Sequence, residues 1–257
     1  QPCLPCEMTL ITHFLSGRKL WLAFHKLALF YCQFVNDMLL RYDDQQLSLT
    51  NVKAVIFDLD GTLVESEAVW TEAKQYIAKR EKVKVSEQIM LAYVGRSVTD
   101  FVKEVIAPVN VSLIQKAIID RALFRYDNNV LEIPGAADLI KNFSSKGFAV
   151  AICSSAPMKA IQKCLKLLGI EACINIVVST ESLSRGKPDK LPYVETLRLL
   201  NISSNHAIVF EDAAAGLTSS IAAGIKTVGV GSSIELSSFA CEMVAKNIAD
   251  INLVETQ

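Results

Sequence analysis

From residue 51 onward the sequence alternates short apolar runs with amphipathic segments, and few architectures satisfy that alternation. The runs at 52–57, 148–153, 174–178 and 207–210 are apolar at nearly every position, and 226–230 adds a shorter pattern carried by Val228 and Val230. Strands buried on both faces read this way, without the polar alternation of a half-exposed strand. Between the later runs, segments 136–145, 159–168, 191–200 and 215–223 carry apolar residues at helical spacing,. Strands alternating with helices imply right-handed βαβ crossovers. The expectation is a doubly wound α/β fold around a parallel five-stranded sheet. In such sheets ligands gather at the carboxyl ends of the strands, so the chemistry should be sought there.

One interval interrupts the pattern. Between residues 67 and 129 only helical periodicity is found, for example at Val111, Ile114, Ile118 and Ala122. A helical insertion directly after the first strand would sit above the strand ends as a cap. The expected division is therefore a core of residues 51–66 and 130–257, a helical cap over 67–129, and an N-terminal extension over 1–50. The extension should be helical, because 20–40 is strongly apolar and aromatic, with Trp21, Phe24, Phe30, Tyr31 and Phe34. His25, Lys26, Gln33, Asn36 and Asp37 interrupt it, whereas a membrane span needs about 18–20 nearly unbroken apolar residues. A helix docked on the core or on a partner is the plain reading. The preceding Arg18 and Lys19 keep a membrane anchor or targeting segment open.

A formal net charge of −1 provides no global field to hold nucleic acid or an anionic membrane surface,. The seven cysteines are odd in number and show no disulfide framework, and several lie in apolar runs,. A reducing, cytoplasmic setting follows. Cys3 and Cys6 form a CxxC, but no second Cys or His pair follows at zinc-ligand spacing,.

The first apolar run ends in Val55-Ile56-Phe57-Asp58-Leu59-Asp60-Gly61-Thr62. Two carboxylates at the end of a buried strand are costly unless they hold a cation or move protons. Glycine after them allows a sharp turn and a close approach to a ligand. A solvated Asp-Leu-Asp-Gly turn would explain this stretch alone. Three further features shift the balance. The second run ends in Cys153-Ser154-Ser155, Gly186-Lys187-Pro188 precedes the fourth, and the fourth ends in Phe210-Glu211-Asp212. Acidic pairs, hydroxyls and a lysine would thus converge on one edge of the sheet. Metal-assisted phosphoryl transfer calls for this set.

These four elements, in this order, resemble the haloacid dehalogenase superfamily of phosphatases over residues 52–231. The helical insertion is similar to the subgroup that contains β-phosphoglucomutase and the 2-deoxyglucose-6-phosphate and hexitol-phosphate phosphatases. The resemblance implies that Asp58 is a nucleophile forming a phospho-aspartate, and that Asp60 is the general acid/base. It implies that Ser154 and Lys187 bind phosphate, with a donor near Ser155. Mg²⁺ would be held by Asp58, the backbone carbonyl of Asp60 and Asp212, with Glu211 nearby. The implied substrate is a small phosphorylated metabolite, a sugar or polyol phosphate.

Three departures bear on this. Glu65-Ser66-Glu67 stands where the family has Asp-Ser. Lys190 and Leu191, ahead of Tyr193, replace a usual Pro and Asp, which would loosen the orientation of Lys187. Trp70 and Val98 occupy the places of a mutase's cap His and Arg. Val98 cannot grip a second phosphate, while Trp70 and the nearby Arg96 offer cap contacts to a substrate. Two rival readings remain: a phosphomutase using the same nucleophile, and a non-catalytic interaction protein acting through residues 1–50.

Overall fold

The computed structural model describes residues 38–256 apart from 107–109 and 233. The CxxC of Cys3 and Cys6 and most of the apolar stretch at 20–40 lie outside the described residues. In chain order the strands are β1 (Met38–Tyr42), β2 (Gln45–Ser48), β3 (Ala54–Phe57), β4 (Val64–Glu65), β5 (Leu131–Glu132) and β6 (Ala149–Ser154). They continue with β7 (Ile176–Ser179), β8 (Ala207–Glu211), β9 (Lys226–Val230), β10 (Met243–Ala245) and β11 (Asn252–Glu255).

Six of these strands form one parallel sheet in the order β10-β9-β8-β3-β6-β7. Strand β3 lies between β6 and β8, and all four of its residues are buried. On one face Phe57 stacks on Phe210 at 4.7 Å between ring centroids and meets Phe143 edge-on at 6.1 Å. On the other face Ile56, Ala151 and Val209 pack with Tyr193 and Leu197. Each strand thus presents apolar side chains to both layers, which is why the runs read as unbroken.

The register fixes where function collects. Phe57 pairs with Ile152 on one side and Phe210 on the other. One residue further along, Asp58, Cys153 and Glu211 therefore reach the carboxyl edge at one level.

The sheet has six strands, not the expected five. The sixth, β10, is three residues long and is reached through a short 3-10 turn rather than an amphipathic helix, so no periodicity announces it. Its edge is closed by a side chain: the Gln45 amide donates to the Val244 carbonyl at 2.9 Å and accepts from the Val244 N–H at 3.1 Å. That covers part of a strand edge that would otherwise be open to pairing.

A second correction concerns the expected helical extension over 1–50. From residue 38 the chain is strand. β1 pairs antiparallel with both β2 and β11, so the start of the described chain is clasped to its end. Met38, Leu40, Leu47 and Leu49 are buried there, so this segment belongs to the folded body.

The helical interval begins with α1 (Glu67–Arg80) and proceeds through α2 (Glu87–Ala92), α3 (Val98–Phe101) and a π-helical turn over Val102–Ile106 to α4 (Val111–Asn129). It is entered and left through the antiparallel pair β4–β5. α1 and α4 are joined by the Arg121–Glu72 ion pair and by the edge-to-face rings of Trp70 and Tyr126, 5.7 Å apart. The sheet is covered by α5 (Ala136–Ser145), α6 (Met158–Leu168), α7 (Leu191–Leu200) and α8 (Ala214–Ala222). α6 shows why such segments are helical: Ala160, Ile161, Cys164, Leu165 and Leu168 form one buried stripe, and Gly169, at φ +60°, ends it,.

Candidate active site

Lys187 is the hub of the carboxyl edge. Its ammonium donates to Asp58 Oδ1 at 2.5 Å, to Glu211 Oε1 at 2.5 Å and to the Cys153 carbonyl at 2.8 Å. These are the three positions that the register brings level. The side chain is 1% exposed. Burial alone would lower its pKa, but the carboxylates of Asp58 and Glu211 outweigh burial and hold it raised,. Despite Lys190 and Leu191, the lysine is not loose. Tyr193 adds a hydroxyl that donates to Glu211 Oε1 at 2.6 Å, and its ring lies 5.0 Å from the ammonium. Sequence reasoning noted Tyr193 only as a landmark; its spacing from the lysine gave no sign of this contact.

Asp58, Glu211 and Asp212 each offer a carboxylate oxygen within 4.8 Å of the others. Burial, followed by repulsion from Glu211, pushes the Asp58 carboxyl well above the ordinary range despite Lys187. The same two causes push Asp212 up to about 8, against the Thr62 hydroxyl that donates to its Oδ1 at 3.1 Å. Three acidic groups, Asp58 and Glu211 buried and Asp212 half-buried, share one lysine, so negative charge is in excess whenever all three are ionised. An all-oxygen donor set of this kind suits a hard divalent cation. Gly61 fits the same picture. It sits at φ +89°, and a β-carbon there would come 2.0 Å from Asp212 Oδ2. A β-carbon on Gly216 would likewise fall 1.8 Å from Glu211 Oε1.

Asp60 faces the helical segment. Its Oδ1 accepts from the Ser66 hydroxyl, from Trp70 Nε1 at 3.0 Å and from the Tyr126 hydroxyl at 3.3 Å; Oδ2 accepts from Ser154 at 3.3 Å. Burial, then the neighbouring Asp60 charge, raises the pKa of the Tyr126 hydroxyl and keeps it a donor. The two long helices of the insertion thus converge on one catalytic candidate. Ser66 stood out in the sequence only as part of Glu65-Ser66-Glu67, with no partner named, and Tyr126 gave no sign, since nothing local ties position 126 to position 60.

The remaining sequence candidates are placed as follows. Ser154 also accepts from the Ala156 N–H at 2.9 Å. The Ser155 hydroxyl donates across the cleft to the Gly95 carbonyl at 2.8 Å. Trp70 is buried, donates its indole N–H to Asp60 and lines the same cleft. Arg96 lines the cleft beside Asp60, Trp70 and Val98, pairs with Glu104 at 2.7 Å and lies 4.4 Å from the Tyr93 ring.

A family model described as haloacid dehalogenase-like hydrolase matches residues 55–230. The chain belongs to the haloacid dehalogenase-like hydrolases. Validoxylamine A 7'-phosphate phosphatase of Streptomyces hygroscopicus subsp. limoneus is 25% identical over 203 residues, covering 77% of this chain and 95% of that protein. The phosphorylated carbohydrates phosphatase of Thermotoga maritima is 25% identical over 181 residues, covering 69% and 84%. Among solved structures, β-phosphoglucomutase from Clostridium difficile superposes with a TM-score of 0.69 at 20% identity, covering 77% and 92%; that likeness is one of fold. Membership of this family and these relatives make the chain an enzyme of the phosphatase type. No helix among the described residues is long and apolar enough to cross a membrane.

Proposed function

We propose that this haloacid dehalogenase-like hydrolase is a Mg²⁺-dependent phosphomonoesterase that works through a phospho-aspartate on Asp58, with a sugar or polyol phosphate as substrate. The observation that carries the reading is the buried Lys187 bridging Asp58 and Glu211, with Asp60 two residues beyond Asp58 and beneath the helical cap. The relative named for phosphorylated carbohydrates supports the substrate class.

The chain's own residues divide the work. Lys187 holds the Asp58 carboxylate in place and offsets the charge of an incoming phosphate. With Asp60 protonated at the start of the cycle, an Asp58 oxygen attacks phosphorus, the bond to the leaving oxygen breaks, and Asp60 gives that oxygen its proton. Water then attacks the phospho-aspartate, Asp60 takes its proton, and inorganic phosphate leaves with Asp58 restored. The backbone near Leu59 and Ser155 donates to the phosphate oxygens, joined by Ser154 once its hydroxyl turns to them from Asp60,.

Asp58, Asp212 and the Asp60 carbonyl would hold Mg²⁺, which supplies charge neutralisation when bound. Glu211 Oε1 accepts from Lys187 and Tyr193 and so orients the lysine, with Glu211 near the metal. The cap over 67–129 excludes water from the edge. Val98, apolar and buried at the cleft, favours hydrolysis over phosphomutase chemistry, which needs a grip on a second phosphate. The reading places the enzyme in the cytoplasm, where the described cysteines Cys153, Cys164, Cys173 and Cys241 would stay thiols,.

The test is phosphate release from a panel of sugar and polyol phosphates with Mg²⁺, for wild type and Asp58→Asn. The variant should keep its circular dichroism spectrum and lose activity by about 10³-fold or more. Wild-type turnover in Asp58→Asn, or turnover indifferent to EDTA, overturns the reading.

A further inference from the structure

The face that α1 turns toward the cleft carries more than Trp70. Glu67 and Lys74 lie three residues before it and four after it, and all three line the cleft beside Asp60,. Lys74 is 2% exposed. Its ammonium makes one long hydrogen bond, 3.3 Å to the Tyr93 carbonyl, and sits 5.8 Å from the centre of the Phe101 ring. No carboxylate among the described residues forms an ion pair with it, although Glu67 and Asp60 are close enough to stabilise its charge. An ammonium has three protons to place, and leaving them unmet in a buried site is costly. A second donor waits in the same wall: Arg96 Nε is buried without a partner, while the other arm of that guanidinium is held by Glu104. The wall also contains an acceptor. Glu67 takes one hydrogen bond, from Thr71 at 2.9 Å, and has lone pairs to spare,.

This mixture discriminates between kinds of leaving group. A second anionic group would meet Lys74, but it would also lie against the carboxylate of Glu67. A hydroxyl has no such conflict, since it accepts from an ammonium and donates to a carboxylate at once. We propose that Lys74 is a specificity-determining residue that donates to a hydroxyl on the leaving group, with Glu67 accepting from that hydroxyl or its neighbour. The preferred substrates are then neutral polyol or sugar monophosphates, ahead of phosphorylated acids and bisphosphates. The assignment rests on the phosphomonoesterase reading of the Asp58 centre.

The experiment compares kcat/KM for wild type, Lys74→Met and Lys74→Gln on a hexitol phosphate, phosphoglycolate and p-nitrophenyl phosphate, with Mg²⁺ and with thermal unfolding of each protein. A hydrogen bond from a charged donor corresponds to roughly 10–100-fold. Lys74→Met should lose that factor on the hexitol phosphate and several-fold less on the aryl phosphate, which has no hydroxyl to offer. Lys74→Gln, which keeps a donor without the charge, should lie between wild type and Met, and it carries the test if Met disturbs cap packing. Equal losses on all substrates, a loss confined to phosphoglycolate, or a Gln variant no better than Met would overturn the assignment. A wild-type protein inert even on the aryl phosphate would overturn the reading of the Asp58 centre, and the assignment with it.

Discussion

Replacing Lys187 with methionine tests the electrostatics of the sheet edge directly. Among the described residues, Lys187 is the cation paired with both Asp58 and Glu211. Methionine is close to lysine in length and apolar, so the change removes charge and hydrogen bonds while keeping most of the packing. In metal-free protein the two carboxylates are then left buried without a counter-charge. Breaking a buried pair in this way costs about 3–5 kcal/mol. At roughly 2–4 °C per kcal/mol for a protein of this size, the melting temperature should fall by about 6–20 °C.

The pH dependence has a definite sign. Lys187 has a raised pKa, so its contribution is complete below the ordinary lysine range and is lost only as pH rises through the folded value,. Between about pH 7 and pH 9 the wild type therefore keeps the whole of it. Asp58 and Asp212 also have raised pKa values, Asp212 at about 8. A raised carboxyl favours the fold while protonated, and that advantage drains away as pH climbs toward the folded value. Without the lysine these carboxyls rise further, and the two proteins then differ in bound protons from the wild-type Asp212 value upward, so the deficit of Lys187→Met should widen from about pH 7 to about pH 9,. Thermal unfolding of both proteins in EDTA at the two pH values measures it. Melting temperatures that agree at both, or a deficit that widens toward acid, would refute the reasoning.

Two further outcomes are expected. Gly61→Ala sets a β-carbon 2.0 Å from Asp212 Oδ2 at a φ of +89°; it should destabilise the protein by about 1–3 kcal/mol and raise the Mg²⁺ concentration needed for half-maximal turnover by roughly tenfold or more. A Mg²⁺ titration and a melting curve that both match wild type would refute this. A chain starting at Met38 should turn over at the wild-type rate per folded molecule, because every site residue lies from Asp58 onward. One starting at residue 51 loses β1 and β2 and the fully buried Leu40 and Leu49, worth about 1.5–3 kcal/mol per side chain; equal melting temperatures for the two truncations would show that the hairpin contributes nothing.

The parts of the molecule legible along the chain are those with a local signature. Buried strands such as Ala54–Phe57 show as unbroken apolar runs, and helices such as Ala136–Ser145 and Leu191–Leu200 show as stripes. Asp58, Asp60, Lys187 and Asp212 stood out because a charge at the end of a buried strand, or beside glycine and proline, needs a reason. Strand β10 was hidden because three residues carry no period. The β1–β2 hairpin was hidden because half its pairing is with Asn252–Glu255, at the other end of the chain. The same holds at the site. No sequence rule places Tyr126 on Asp60, Tyr193 on Glu211 or Lys74 in the cleft wall, since each contact depends on how separate helices pack. Residue type and spacing are enough to say which groups must find partners. Which partners they find depends on register and packing, because Phe57 opposite Ile152 and Phe210 is what sets Asp58, Cys153 and Glu211 level around one lysine.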